Sequence, residues 1–157
     1  MDTVQKLIRL PVVLAEQADR RADALGLSLN DLIVTTLASF LGVEHDGDLP
    51  LLQKLSEWVS AKFDRHNFPQ DVTWQVFQHI LATPELLATY MALVQDDKGQ
   101  RDEQKKLRLN QRIGKMVKRC LEAEVGGRLG PFDPAKDLIQ SCALLRPRPR
   151  HDGGLTH

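Results

Sequence analysis

Val4-Gln5-Lys6-Leu7-Ile8-Arg9-Leu10, followed by Pro11, is the stretch whose reading decides the fold. Residues 4–10 alternate imperfectly. Val4, Ile8 and Leu10 share one face, with Lys6 as its exception. Gln5, Leu7 and Arg9 share the other, with Leu7 as its exception. The pattern predicts one short strand. Pro11 stops it and can start a helix, because its fixed φ suits a first turn. Two helical patterns follow and meet at Gly26-Leu27-Ser28. A lone strand has no partner for its backbone donors and acceptors, and one strand with two short helices cannot build a core. The simplest repair is a second copy of the chain. The segment is therefore expected to dimerise and to leave an exposed two-stranded ribbon.

The helical patterns carry their own punctuation. Leu14, Ala18, Ala22 and Leu25 recur at helical spacing, and Gly26 follows as a C-terminal cap. Ser28 opens the second helix with Asp31 three residues on, a capping-box arrangement with Asp in place of Glu or Gln. Leu29, Leu32, Ile33, Leu37, Phe40 and Leu41 form a stripe wider than the first helix alone can cover, which fits packing against a symmetry mate.

Working outward, Gly42 to Pro50 is rich in Gly, Asp and Glu and reads as a break. Beyond it the pattern is helical throughout. Leu51, Leu55, Trp58, Val59 and Phe63 mark one helix, and Val72, Val76, Phe77, Ile80 and Leu81 mark another. Thr83-Pro84 caps and starts a third. A long basic segment follows, with Leu109, Ile113, Val117 and Leu121 as its apolar stripe and Gly126-Gly127 as its stop. Asp133-Pro134 is expected to open a last helix running through Cys142. Arg146-Pro147-Arg148-Pro149-Arg150 cannot be helical and is expected to be extended.

The 157 residues suit one domain or two small ones, and 42% hydrophobic with 27% charged residues is a globular balance. Only 5% are aromatic, and helix formers dominate. No run is long enough to span a membrane and no signal peptide opens the chain, so a cytoplasmic protein is expected. Cys120 and Cys142 read as two buried free thiols rather than a disulfide framework. The formal net charge of zero hides a pattern. Residues 43–97 carry three basic groups against nine acids, and residues 98–119 carry nine against two. Local fields matter more than the sum to a polyanionic partner.

Residues 1–43 resemble the ribbon-helix-helix family of DNA-binding proteins, the Arc and MetJ type. The residues that carry the likeness are Leu7-Ile8-Arg9-Leu10-Pro11, the Leu14–Ala18–Ala22 stripe, and Gly26-Leu27-Ser28-Leu29-Asn30-Asp31-Leu32-Ile33. The resemblance implies a two-fold dimer whose paired strands enter the major groove of duplex DNA. It implies base contacts from Gln5, Leu7 and Arg9: Gln with adenine N6 and N7, Arg with guanine O6 and N7, Leu with a thymine methyl. It also implies a phosphate clamp at the second helix, from the amides of Ser28, Leu29 and Asn30.

The expected fold is mainly α: a ribbon-helix-helix module over 1–43, a linker over 44–50, an all-α helical domain over 51–145 and a flexible basic tail over 146–157. The basic segment has three readings. It is a solvated helix balancing the acidic helices of 43–97, or a second nucleic-acid contact through Lys6, Lys105, Lys106, Arg108 and Arg112, or a surface for a protein partner. The histidines show no metal-ligand spacing. No phosphate loop, nucleophile–base set or carboxylate pair stands out, which points away from an enzyme and from a cofactor. The expected function is a homodimeric, sequence-specific DNA-binding protein that represses transcription. The rivals are a plasmid or mobile-element accessory factor for conjugation or partition, an antitoxin, and a helical scaffold with no nucleic acid at all.

Overall fold

The computed structural model describes residues 3–43 and 47–149. Six helices are followed by one two-stranded sheet: α1 (Val12–Leu25), α2 (Leu29–Leu41), α3 (Leu49–Lys62), α4 (Val72–Ala82), α5 (Pro84–Leu93), α6 (Glu103–Cys120), β1 (Ala123–Leu129) and β2 (Cys142–Pro147). Glu44, His45 and Asp46 of the expected linker, and the expected tail beyond Pro149, lie outside the described residues.

The local signals at the first two helices act as their chemistry dictates. α1 starts directly after Pro11. It ends where Gly26 turns left-handed at φ 69°, and the Leu27 amide donates back to the Ala22 carbonyl at 2.9 Å. Ser28 then caps α2, its Oγ accepting from the Asp31 amide at 3.1 Å. Gly42 repeats the left-handed ending at φ 67°, with the Val43 amide on the Ala38 carbonyl at 3.0 Å. α1 and α2 are bent by 95° at their break. No single helix among the described residues is long and apolar enough to cross a membrane.

α6 is the central beam. It touches α1, α3, α4, α5 and both strands. Its inward stripe of Leu109, Ile113, Met116, Val117 and Cys120 is buried against Leu55 and Val59 of α3, Val76 and Ile80 of α4, and Tyr90 of α5. Its start is capped by Asp102, whose Oδ1 accepts from the amides of Gln104 and Lys105. A polar cross-link sits within this packing. The sole tyrosine, Tyr90, donates its hydroxyl to Asn110 Oδ1 at 2.7 Å, and Asn110 Nδ2 donates to the Leu138 carbonyl at 3.1 Å. Burial pushes the Tyr90 phenol up to about 12. The α1–α2 turn docks on the same beam, since Leu25 and Leu27 belong to the common core.

Two expectations are overturned. Residues 3–11 form no strand, so the N-terminal ribbon-helix-helix arrangement is absent from this chain. A strand exists by virtue of its ladder, and nothing among the described residues pairs with this segment. The second half, in turn, is not all α. Past Cys120 the chain turns at Glu122, with φ 48°, and enters β1, which pairs antiparallel with β2. Gly126-Gly127 lies inside β1 at a register irregularity rather than closing a helix. No helix opens at Asp133. Its carboxylate accepts from the Ala135 amide at 2.9 Å in a turn, and Leu138 and Ile139 then bury before β2 begins. Arg146 and Pro147 close β2, and the Leu145 amide ties that strand to the Gln70 carbonyl at 3.0 Å.

Candidate nucleic-acid interface

The first forty residues make a surface unlike the rest of the molecule. Of the fourteen large apolar side chains exposed among the described residues, eleven lie between Val4 and Val43. Phe40 is 85% exposed, and α2 buries no residue fully. A soluble monomer rarely leaves an apolar area of this kind open. The residues expected to contact bases lie on the arm that leads into it. Gln5, Leu7 and Arg9 are all exposed, Leu7 to 92%, and Leu10 alone on the arm is half-buried. Lys6 is exposed with them.

The expected phosphate clamp has a more defined geometry. Leu29 and Asn30 occupy the first turn of α2, where backbone amides have no intrahelical acceptor. Asp31, one position on, would repel a phosphate. It does not stand alone: Arg112 Nη2 approaches its Oδ2 at 3.4 Å, while Arg112 Nε meets Asp48 Oδ2 at 3.0 Å. Arg112 thus offsets two carboxylates rather than offering a free charge.

The other residues of the basic segment separate into distinct settings. Lys105 and Arg108 are exposed. Lys105 Nζ donates to the Gln95 carbonyl at 3.0 Å. Lys106 is half-buried and lines a different hollow of about 640 Å³ between α6 and the hairpin, together with Arg128. The basic helix was expected to balance the acidic stretch of residues 43–97. Among the described residues only Arg112 does so, through Asp48. Three other acids of that stretch act locally. Asp64 accepts from the His66 amide, Asp71 from the Gln75 side chain, and Asp96 from the amides of Lys98 and Gln100.

Three further bases of the 98–119 segment join the expected set in space. Lys115, Lys118 and Arg119 border one cleft, of about 990 Å³, with Ser28 and Leu29 of the α2 start. Arg20, Arg65 and Arg148 add to its rim, against Asp19, Asp23 and Glu122, the last held by Arg65 at 3.1 Å. The signal was present in the sequence. Positions 105, 108, 112, 115 and 119 repeat at three and four residues and so form one ridge on a helix.

Titratable groups elsewhere carry no comparable cluster. Burial pushes the Cys120 thiol up to about 11 and also raises that of Cys142. Such thiols are poor nucleophiles near neutral pH. Among the described residues no three His, Cys, Asp or Glu side chains converge on a metal-sized site. Comparison with family models, curated proteins and solved structures finds no match.

Proposed function

We propose that this protein is a cytoplasmic, homodimeric, sequence-specific duplex-DNA-binding protein that represses transcription by occupying its operator. The observation that carries this reading is the open apolar surface of α1 and α2 beside an arm that exposes Gln5 and Arg9. A second copy of the chain covers the first, through Leu37, Phe40 and Leu41. The two arms then reach one stretch of major groove with Gln5, Leu7 and Arg9 at the base edges. Each bidentate Arg–guanine or Gln–adenine pair discriminates by about 1–3 kcal/mol. The amides of Leu29 and Asn30, with Ser28, fix the register on a phosphate, and the Arg112–Asp31 pair lowers the repulsion there. Repression follows from steric occlusion of the promoter.

Selection of bound fragments from a random duplex pool, followed by fluorescence anisotropy on the winning site, tests the proposal. Arg9→Ala abolishes discrimination between that site and a scrambled duplex while leaving the dimer intact by light scattering. Retained discrimination refutes the role of the arm. A wild-type protein that binds no duplex at low salt refutes DNA binding altogether.

A further inference from the structure

We infer that the outer ridge of α6, formed by Lys105, Arg108, Lys115 and Arg119 with Lys118 beside it, is a second contact for the phosphate backbone of duplex DNA. It grips the stretch flanking the one the arms read. The inference rests on the DNA-binding reading above and adds a surface to it.

Three observations carry it. First, these cations are not neutralised inside the chain, although Lys105 donates to the Gln95 carbonyl. None of the five meets a carboxylate among the described residues, whereas Arg112, on the same ridge, meets two. Of the acids that border their cleft, Glu122 is held by Arg65 at 3.1 Å, and Asp19 and Asp23 stand on its rim. Second, like charges three and four residues apart on a helix repel one another. A polyanion laid along the ridge relieves that repulsion, and a neutral partner does not. Third, the dimensions fit. Lys105 to Arg119 spans fourteen residues of helix, about 21 Å. A backbone laid along that length presents several phosphates to the ridge. Lys115, Lys118 and Arg119 moreover share their cleft with Ser28 and Leu29. One backbone can therefore pass from the α2 start onto α6 without leaving the surface. An acidic protein offers a looser fit, because its carboxylates lack this regular spacing.

The test uses the full chain in two charge-matched triple variants. K115Q/K118Q/R119Q empties the C-terminal half of the ridge. K54Q/K98Q/K136Q removes the same charge from exposed positions off α6. Anisotropy on a random duplex is followed over a salt series. Each lost phosphate contact lowers the slope of log K against log salt by about 0.9, so the ridge variant loses about 2.7 per engaged protomer. The control variant keeps a slope within one contact of wild type. Equal slopes for the two variants overturn the inference, since the effect is then one of overall charge. So does a ridge variant that keeps its DNA slope but loses binding to polyglutamate, which assigns the ridge to an acidic protein. Wild-type protein that binds no duplex at any salt sinks the proposed function itself. Wild-type binding that the ridge variant retains sinks only the second contact.

Discussion

Gly26 and Gly42 occupy the same backbone position at the ends of successive helices, yet an alanine at each meets different surroundings. Both are left-handed, at φ 69° and φ 67°. A Cβ in that conformation costs about 1–2 kcal/mol, offset by about 0.4–1 kcal/mol from the stiffer unfolded chain. At Gly42 nothing described lies within 4 Å of the added carbon. At Gly26 the carbon falls 3.0 Å from Met116 Cγ, 3.0 Å from the Met116 carbonyl oxygen and 3.2 Å from Cys120 Sγ. The methionine side chain can move, but its carbonyl is locked in α6. Overfilling a packed contact costs about 1–3 kcal/mol. Gly42→Ala is therefore expected to destabilise by about 1 kcal/mol or less. Gly26→Ala should cost about 1–3 kcal/mol more than that. For a chain of this length the gap is roughly 2–4 °C in Tm per kcal/mol. Urea and thermal melts followed by circular dichroism measure both. Equal destabilisation of the two variants refutes the docking of the α1–α2 turn on α6. The arm that precedes α1 would then hang from a hinge rather than from the helical body.

Two further outcomes follow from buried and stacked polar groups. Tyr90→Phe strands Asn110 Oδ1 in the core, which costs about 1–3 kcal/mol in the same melts. Because the chain has one tyrosine, tyrosinate absorbance reads Tyr90 directly in the wild type. It is expected to titrate near pH 12, and a midpoint at the ordinary 10.0 contradicts its burial. His79 stacks flat on Trp58, ring centroids 4.0 Å apart, while Lys62 lies over the same indole. Desolvation, then the Lys62 charge, lowers its pKa below 6.5. The folded state thus binds fewer protons than the unfolded one, and stability declines as pH falls through 6.5 toward the folded value. An NMR titration should place the His79 midpoint below 6.5 and move it upward in Trp58→Ala; a midpoint at or above 6.5 refutes the effect of the stack.

What the sequence made legible, and what it hid, divides along the range of the interactions. The helix ends at Gly26 and at Ser28 follow from groups within five residues of one another, and both stand in the structure as their chemistry requires. The inward stripe of α6 was equally readable, because a 3.6-residue period needs no knowledge of the partner. The hairpin was not. Ala123–Leu129 holds one β-branched residue and two glycines, and it is a strand because Cys142–Pro147 lies beside it. Residues 4–10 failed in the opposite direction. They carry strand-like alternation, but their ladder has no second side among the described residues.

The same division explains why the charge segregation misled. Nine bases following nine acids in sequence suggest mutual neutralisation. Whether two charges pair depends on side-chain reach, and short carboxylates are captured first by amides two to four residues away. Asp64, Asp96 and Asp102 each cap a neighbouring turn or helix. Among the described residues, Arg112 is the one base of α6 that meets acids from distant parts of the chain, where α2 and the start of α3 converge on it. Lys105, Arg108, Lys115 and Arg119 are left exposed on a single ridge. The uncompensated field of this electrically neutral protein is therefore a product of local capping as much as of composition. Substituting the capping aspartates is therefore expected to leave the charge of the ridge, over its roughly 21 Å span, unchanged.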